Sequence, residues 1–268
     1  GPSAGYRRGA ECHSLRAQWG VSGYCDLRKG VFGLPFWVTH MMVADRVLQE
    51  LPWLSRHEYC VGNIAPDCNV ENEDWSGFTP PREMTHWMSA GRKNSTDCQR
   101  FIHEYLLPRN PQTVPEASFL WGYYTHLVTD AEFQRTIRDE ERVRAAWNRI
   151  QAIPELAAAS EGMPVSWDSV KRLIPRDERY REIGTIECEY LDAHPNSGFL
   201  TEIVGLTDFP DLLEFLPAGA IVRKIGVLGN MPEKGESRYP FTAMTRTEYT
   251  DFVDRAVKLS VETISQYW

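Results

Sequence analysis

The sequence predicts an all-α protein, one helical bundle joined by long ordered loops. Three observations carry that reading. Apolar residues recur at helical spacing in the most legible segments. The apolar and charged shares, 42% and 25%, are those of an ordinary soluble domain. A length of 268 residues suits one large domain or a domain with an appendage.

The first 33 residues are Gly- and Arg-rich with little periodicity. They read as an N-terminal arm, partly vector-derived, since Gly1-Pro2 has the look of a protease scar. The domain proper spans 34–268. Its first helix begins near Pro35, with Val38, Met41, Met42, Val47 and Leu48 on one face, and Leu51-Pro52 stops it. Residues 60–85, rich in Gly, Asn, Asp and Pro, read as a long ordered loop, a kind that is usually functional. A helix over 96–107 is broken between Pro108 and Pro115.

Residues 116–150 carry the strongest helical signal. Phe119, Leu120, Tyr123, Tyr124, Leu127 and Val128 make a broad apolar surface, and a charged amphipathic stretch follows Asp130. One long helix or two abutting ones fit. A short helix is predicted over 166–173. The last runs from about Glu248 to Tyr267, capped by Thr245 or Thr247. Between 183 and 245 the pattern is least legible: IVRKIGVLG reads as a strand or buried turn, FLPAGA as loop, and the whole stretch as a lid or specificity wall.

The net charge of −8 argues against nucleic-acid binding, which needs a basic face. No apolar run reaches the roughly 18–20 residues that span a bilayer, and no leader-like start is seen, so the expected location is cytoplasmic. The six cysteines (Cys12, Cys25, Cys60, Cys68, Cys98 and Cys188) lack CxxC spacing and read as reduced thiols, although Cys60 and Cys68 flank GNIAPD. The sequence leaves the oligomeric state open.

Five polar residues sit where packing does not want them: His40 in WVTHMM, Asp67 in VGNIAPDC, His86 in MTHWM, and His126 and Asp130 in YYTHLVTD. The i, i+4 spacing of the last two puts an imidazole and a carboxylate on one helix face. Alone, such a pair is commonly just hydrogen-bonded. Five together in apolar surroundings are costly to bury unless paired or metal-bound, and neutral imidazole with carboxylate is a mixture zinc accepts. HExxH, the His-Asp dipeptide, GxSxG, Walker and GxGxxG patterns are all absent.

In that order, PFWVTH, GNIAPD, a TH after a Pro-rich approach and GYYTHLVTD resemble the zinc-dependent phospholipase C family, over about residues 34–150. The resemblance implies an all-α bundle with the metal site between helices. It makes His40, Asp67, His86, His126 and Asp130 metal ligands, with Asp130 able to bridge two ions. The residues after Asp130, AEFQRTIRDE, lack the further histidine of classical members, and His194 has no Glu four residues on. One or two zinc ions are therefore expected rather than three.

The function expected is metal-dependent hydrolysis of a phosphoester by a metal-activated water, with Asp67 and Glu132 as catalytic candidates and Gln134 beside them. Two readings stand against it: hydrolysis of a small amide or ester, and a metal-stabilised binding or scaffold protein. A reading without metal, as hydrogen-bonded His/Asp pairs, also stays open. Arg135 and Arg138 are weighed as substrate contacts against ion pairing with Asp139 and Glu141. Trp37, Trp87, Trp121 and Tyr124 are weighed as pocket lining against core packing.

Overall fold

The computed structural model describes residues 36–74, 76–89 and 96–268. The expected arm over 1–33, with Cys12 and Cys25, lies outside them. Leu34–Trp268 forms one compact unit, and its helices surround a central one. Chain order gives α1 (Trp37–Glu50), α2 (Arg56–Gly62), a 3-10 turn (Ala65–Asp67), the strands β1 (Val70–Glu71) and β2 (Phe78–Thr79), and α3 (Arg82–Thr85). Next come α4 (Cys98–Phe101), a π-helical turn (Ile102–Leu106), α5 (Leu107–Arg109), α6 (Val114–Arg138), α7 (Glu140–Gln151), α8 (Pro154–Ala159), α9 (Trp167–Leu173) and α10 (Arg176–Ala193). A second π turn (Phe199–Ile203), α11 (Ala220–Leu228) and α12 (Arg246–Tyr267) complete the order.

The all-α expectation holds. The only sheet among the described residues is the β1–β2 hairpin, antiparallel with Val70 opposite Thr79. Helix α6 is the axis, buried continuously from Ala117 to Asp130, with α1, α2 and α12 packed on it. Thr113 caps it by accepting from the Glu116 N–H, and Pro115 sits in its first turn, where no amide donor is needed. Of the two options for 116–150, two abutting helices is correct: Asp139 leaves helical geometry and caps α7 through the Arg142 N–H.

The α2–α6 contact depends on two glycines. A Cβ on Gly62 would stand 2.0 Å from the Phe119 carbonyl oxygen, and one on Gly122 2.1 Å from that of Tyr59. Backbone against backbone is reachable only without side chains at these positions. This approach sets Asn63, one residue past α2, against α6 beside His126.

Several expectations need correction. Residues 60–85 are not one long loop: the end of α2, the 3-10 turn, the hairpin and α3 divide them into short hydrogen-bonded units. The expected break between Pro108 and Pro115 is there, and only its edge moves: helical geometry runs from Cys98 to Arg109, with Pro108 in the first turn of α5, and Asn110 ends it in the left-handed region. IVRKIGVLG is neither strand nor buried turn but part of α11. Ile221 and Ile225 bury one face four residues apart, and buried Lys224 pairs with Glu71 of β1. Helix α12 starts at Arg246, two residues before the expected point, because Thr245 and Glu248 form a reciprocal capping box.

Candidate metal centre

The five polar residues come from four pieces of chain: His40 from α1, Asp67 from the 3-10 turn, His86 from the end of α3, and His126 and Asp130 from α6. All three imidazoles are wholly buried, and Asp130 is nearly so. Asp67 shows the most surface, its side chain 15% exposed. The fold brings all five together, with the side chains held between α1, α3 and α6.

Four atoms converge most closely. His86 Nε2 lies 3.1 Å from Asp67 Oδ1, 3.4 Å from His126 Nε2 and 3.5 Å from Asp130 Oδ2. His126 Nε2 lies 3.5 Å from Asp130 Oδ2 and 3.8 Å from Asp67 Oδ1. Zinc bonds of about 2.0–2.1 Å at tetrahedral angles put neighbouring ligand atoms roughly 3.3–3.4 Å apart. The observed separations bracket that value. The other Asp130 oxygen, Oδ1, stands 3.3 Å from His40 Nε2. That carboxylate therefore faces two places at once.

The surrounding hydrogen bonds fix which nitrogen each ring offers. His126 Nδ1 lies 2.7 Å from the Asn63 carbonyl, which can only accept, so Nδ1 carries the proton and Nε2 presents a lone pair. The Thr85 hydroxyl donates to the Arg82 carbonyl and so accepts from His86 Nδ1 at 2.9 Å, which again leaves Nε2 bare. The His40 and His126 rings stack at 3.8 Å with planes 1° apart, so α1 and α6 present imidazoles side by side. Trp37 Nε1 donates to Asp67 Oδ2 at 3.0 Å and leaves Oδ1 turned to the cluster.

Acceptor atoms therefore crowd together in a buried pocket. Although His40 Nε2 and Asp130 Oδ1 are 3.3 Å apart, their alignment makes no hydrogen bond, and both atoms, like His40 Nδ1, are buried without a partner. Such groups cost about 1–3 kcal/mol each when unsatisfied. A cation among them removes the cost. Nitrogen and carboxylate oxygen at these distances fit zinc, and His40 with Asp130 Oδ1 could hold a second ion with much of its shell open. Among the described residues, the groups of three or more His, Cys, Asp or Glu with this convergence are drawn from these five alone.

The electrostatics divide the rings: His40 and His86 are held neutral, whereas His126 is held toward its charged form until a cation takes its Nε2. Burial, then neighbouring His126, lowers the His40 pKa; burial, then Arg82, lowers that of His86 to about 4. Both rings stay neutral, as ligands must. Burial works against ionised Asp67 and Asp130, but the neighbouring charges, His126 first, hold both below the usual carboxylate range. Burial likewise opposes charge on His126, and Asp67 and then Asp130 hold its pKa up.

Glu132 is not part of this cluster. Two residues beyond Asp130, it leaves α6 on a different side and pairs with Arg135 at 2.7 Å and Arg255 of α12 at 3.4 Å. The structure thus sets the expected catalytic candidate Glu132 on these arginines, away from the other candidates. Arg135 is spent on Glu132 rather than Asp139, and Arg138 donates to Gln134 rather than pairing with Glu141. Of the four aromatics, Trp37 touches the cluster through Asp67. Trp121 and Tyr124 pack against each other in the core, and Trp87 packs against Phe101. Sequence reasoning missed Arg82, whose guanidinium stands 3.4 Å from both Asp67 Oδ1 and Asp130 Oδ2. Its signal was present: Arg82 precedes His86 by four residues, the same spacing as His126 and Asp130.

The class these features define is a helical protein with a buried His/Asp centre suited to zinc. Residues 39–132, about a third of the chain, match the family model described as zinc dependent phospholipase C. The match supports a zinc-dependent phospholipase C-like family, and all five cluster residues lie within it. No curated protein and no solved structure matches the chain. No helix among the described residues is long and apolar enough to cross a membrane.

Proposed function

We propose that the protein is a zinc-dependent hydrolase of phosphoesters. The observation that carries this reading is the convergence of Asp67 Oδ1, His86 Nε2, His126 Nε2 and Asp130 Oδ2 at ligand spacing, with His40 beside the second Asp130 oxygen. Bound zinc supplies a Lewis acid and a water acidified toward neutral pH.

The chain's own residues do the rest. Asn63 and Thr85 lock the His126 and His86 tautomers, as hydrogen bonds behind metal-ligating histidines generally do. Trp37 orients Asp67, whose depressed pKa makes it a ligand and a poor proton acceptor. Asp130 links the four-atom set to His40, so one or two ions are accommodated. The buried walls lower the local dielectric and strengthen every charge interaction inside. A purely structural zinc site is the weaker reading, because His40 and Asp130 Oδ1 form a place that two protein ligands leave open.

Elemental analysis tests the site: the wild type should carry one or two zinc equivalents, lost in both His126→Ala and Asp130→Ala. Zinc-loaded protein should then cleave a phosphodiester such as bis-p-nitrophenyl phosphate in preference to a p-nitroanilide. Wild type purified and dialysed against zinc without retaining any would sink the proposal.

A further inference from the structure

We propose that Arg82 is the phosphoryl-recognition residue of this centre, its guanidinium gripping a phosphate oxygen of the substrate at the mouth of the cluster. The inference rests on the zinc reading above and names the substrate class of the same site.

The argument begins with charge. Two carboxylates, Asp67 and Asp130, balance one divalent ion, and the histidines add nothing when neutral. Arg82 is always charged, so a site holding one zinc carries surplus positive charge, and a site holding two carries more. Charge in a water-poor pocket is costly unless compensated. The ligand that compensates it is an anion, and a neutral amide or ester does not.

Geometry narrows the choice. The two bonds of Arg82 to the carboxylates are both 3.4 Å, well beyond the usual 2.9 Å of a strong N–H···O contact, and each goes to an oxygen that also faces the imidazoles. A guanidinium has five donors in a planar fork, and the hydrogen bonds it makes among the described residues are these two long ones. Its side chain is 19% exposed against 1% for Asp130, so it stands between the buried cluster and solvent. Its placement is fixed from behind: the His86 N–H donates to the Arg82 carbonyl at 2.8 Å, which stacks the two side chains one helical turn apart on α3. A tetrahedral oxyanion has oxygens enough to meet the ligand cluster and the fork together. A carboxylate offers only two.

The experiment uses the full chain loaded with zinc, and inorganic phosphate as the probe, by calorimetry. Wild type, Arg82→Met and Arg82→Lys are compared, each with zinc content measured on the same sample. Arg82→Met should keep its zinc and bind phosphate at least 10-fold more weakly, with Arg82→Lys in between. Acetate should bind the wild type poorly and be insensitive to the substitution. Unchanged phosphate affinity in Arg82→Met overturns the proposal while leaving the zinc reading intact. Loss of zinc from Arg82→Met overturns it as well, and makes Arg82 a residue that positions ligands. Acetate bound as tightly as phosphate, with the same dependence on Arg82, would make the site a carboxylate receptor. A wild type without zinc would end both readings.

Discussion

Helix α1 is flanked by two buried polar clusters, and only one looks like a site. On one side His40 faces Asp130, His126, His86 and Asp67. On the other, the Asp45 carboxylate accepts from the Tyr190 hydroxyl at 2.6 Å, the Ser197 hydroxyl at 2.6 Å and the Gly198 N–H at 2.8 Å. Close by, Glu187 of α10 accepts from the Thr39 N–H at 2.8 Å and the Thr39 hydroxyl at 2.6 Å, and that hydroxyl also meets Tyr249. Burial is similar in the two clusters. The balance of donors and acceptors is not: the carboxylates behind α1 meet short hydroxyl and N–H donors, whereas those in front have Trp37 and two long Arg82 contacts, and Asp130 Oδ1 and both His40 nitrogens have no partner. Buried polar residues are therefore weak evidence of function by themselves. A buried surplus of lone pairs is stronger evidence, because a cation is the partner it lacks.

The largest effect that could break this comparison is a crossed pair of substitutions. Asp130→Asn should abolish zinc retention, weakening affinity more than 1000-fold, while the metal-free protein stays folded, since the amide keeps an acceptor oxygen for Arg82. Asp45→Ala should do the reverse. It leaves three buried donors without their acceptor and should cost about 3 kcal/mol in chemical unfolding, with zinc content unchanged. If Asp130→Asn unfolds the protein and Asp45→Ala strips the metal, the two clusters have been assigned the wrong way round.

A smaller effect sharpens it. Thr85→Val removes the hydroxyl behind His86 at nearly constant volume and should weaken zinc binding roughly 10-fold in a chelator competition, because the ring loses its fixed tautomer. No change would mean that packing alone orients His86.

An effect of similar size, read through pH, concerns another carboxylate on α10. Glu182 is buried and accepts from the Phe241 N–H at 2.7 Å. Burial raises its pKa to about 7 against the pull of that bond. A folded-state pKa above the unfolded value means stability that is full below about pH 4.5 and is lost as pH rises through about 7. Glu182→Gln should therefore gain on the wild type between pH 5 and pH 8, by on the order of 2 kcal/mol. A difference in Tm that stays flat over that range would show that Glu182 ionises without penalty.

How much of this was legible in the sequence differs from element to element. Helices α1, α6 and α12 could be read because they are long and their buried positions repeat at 3.6 residues. The pieces between 60 and 85 could not, because each is shorter than the period that would reveal it. Helix α11 hid because nine residues of mostly β-branched and apolar character, interrupted by Arg223 and Lys224, suit a strand as well as a helix. The five ligand candidates stood out as polar residues in apolar contexts. Arg82, in a Pro-rich polar stretch, looked like any surface arginine.

Sequence by itself determined the helical class, the central helix with His126 and Asp130 one turn apart, and the resemblance that singled out His40, Asp67 and His86. Tertiary structure alone decided that five residues spread over about ninety positions share one pocket, that Asn63 and Thr85 set the tautomers, and that Glu132 turns away to Arg135 and Arg255. The reason is physical. Periodicity records which face of a helix is buried, but a ligand set is defined by distances between elements, and these follow from how closely backbones pack, here at Gly62 and Gly122.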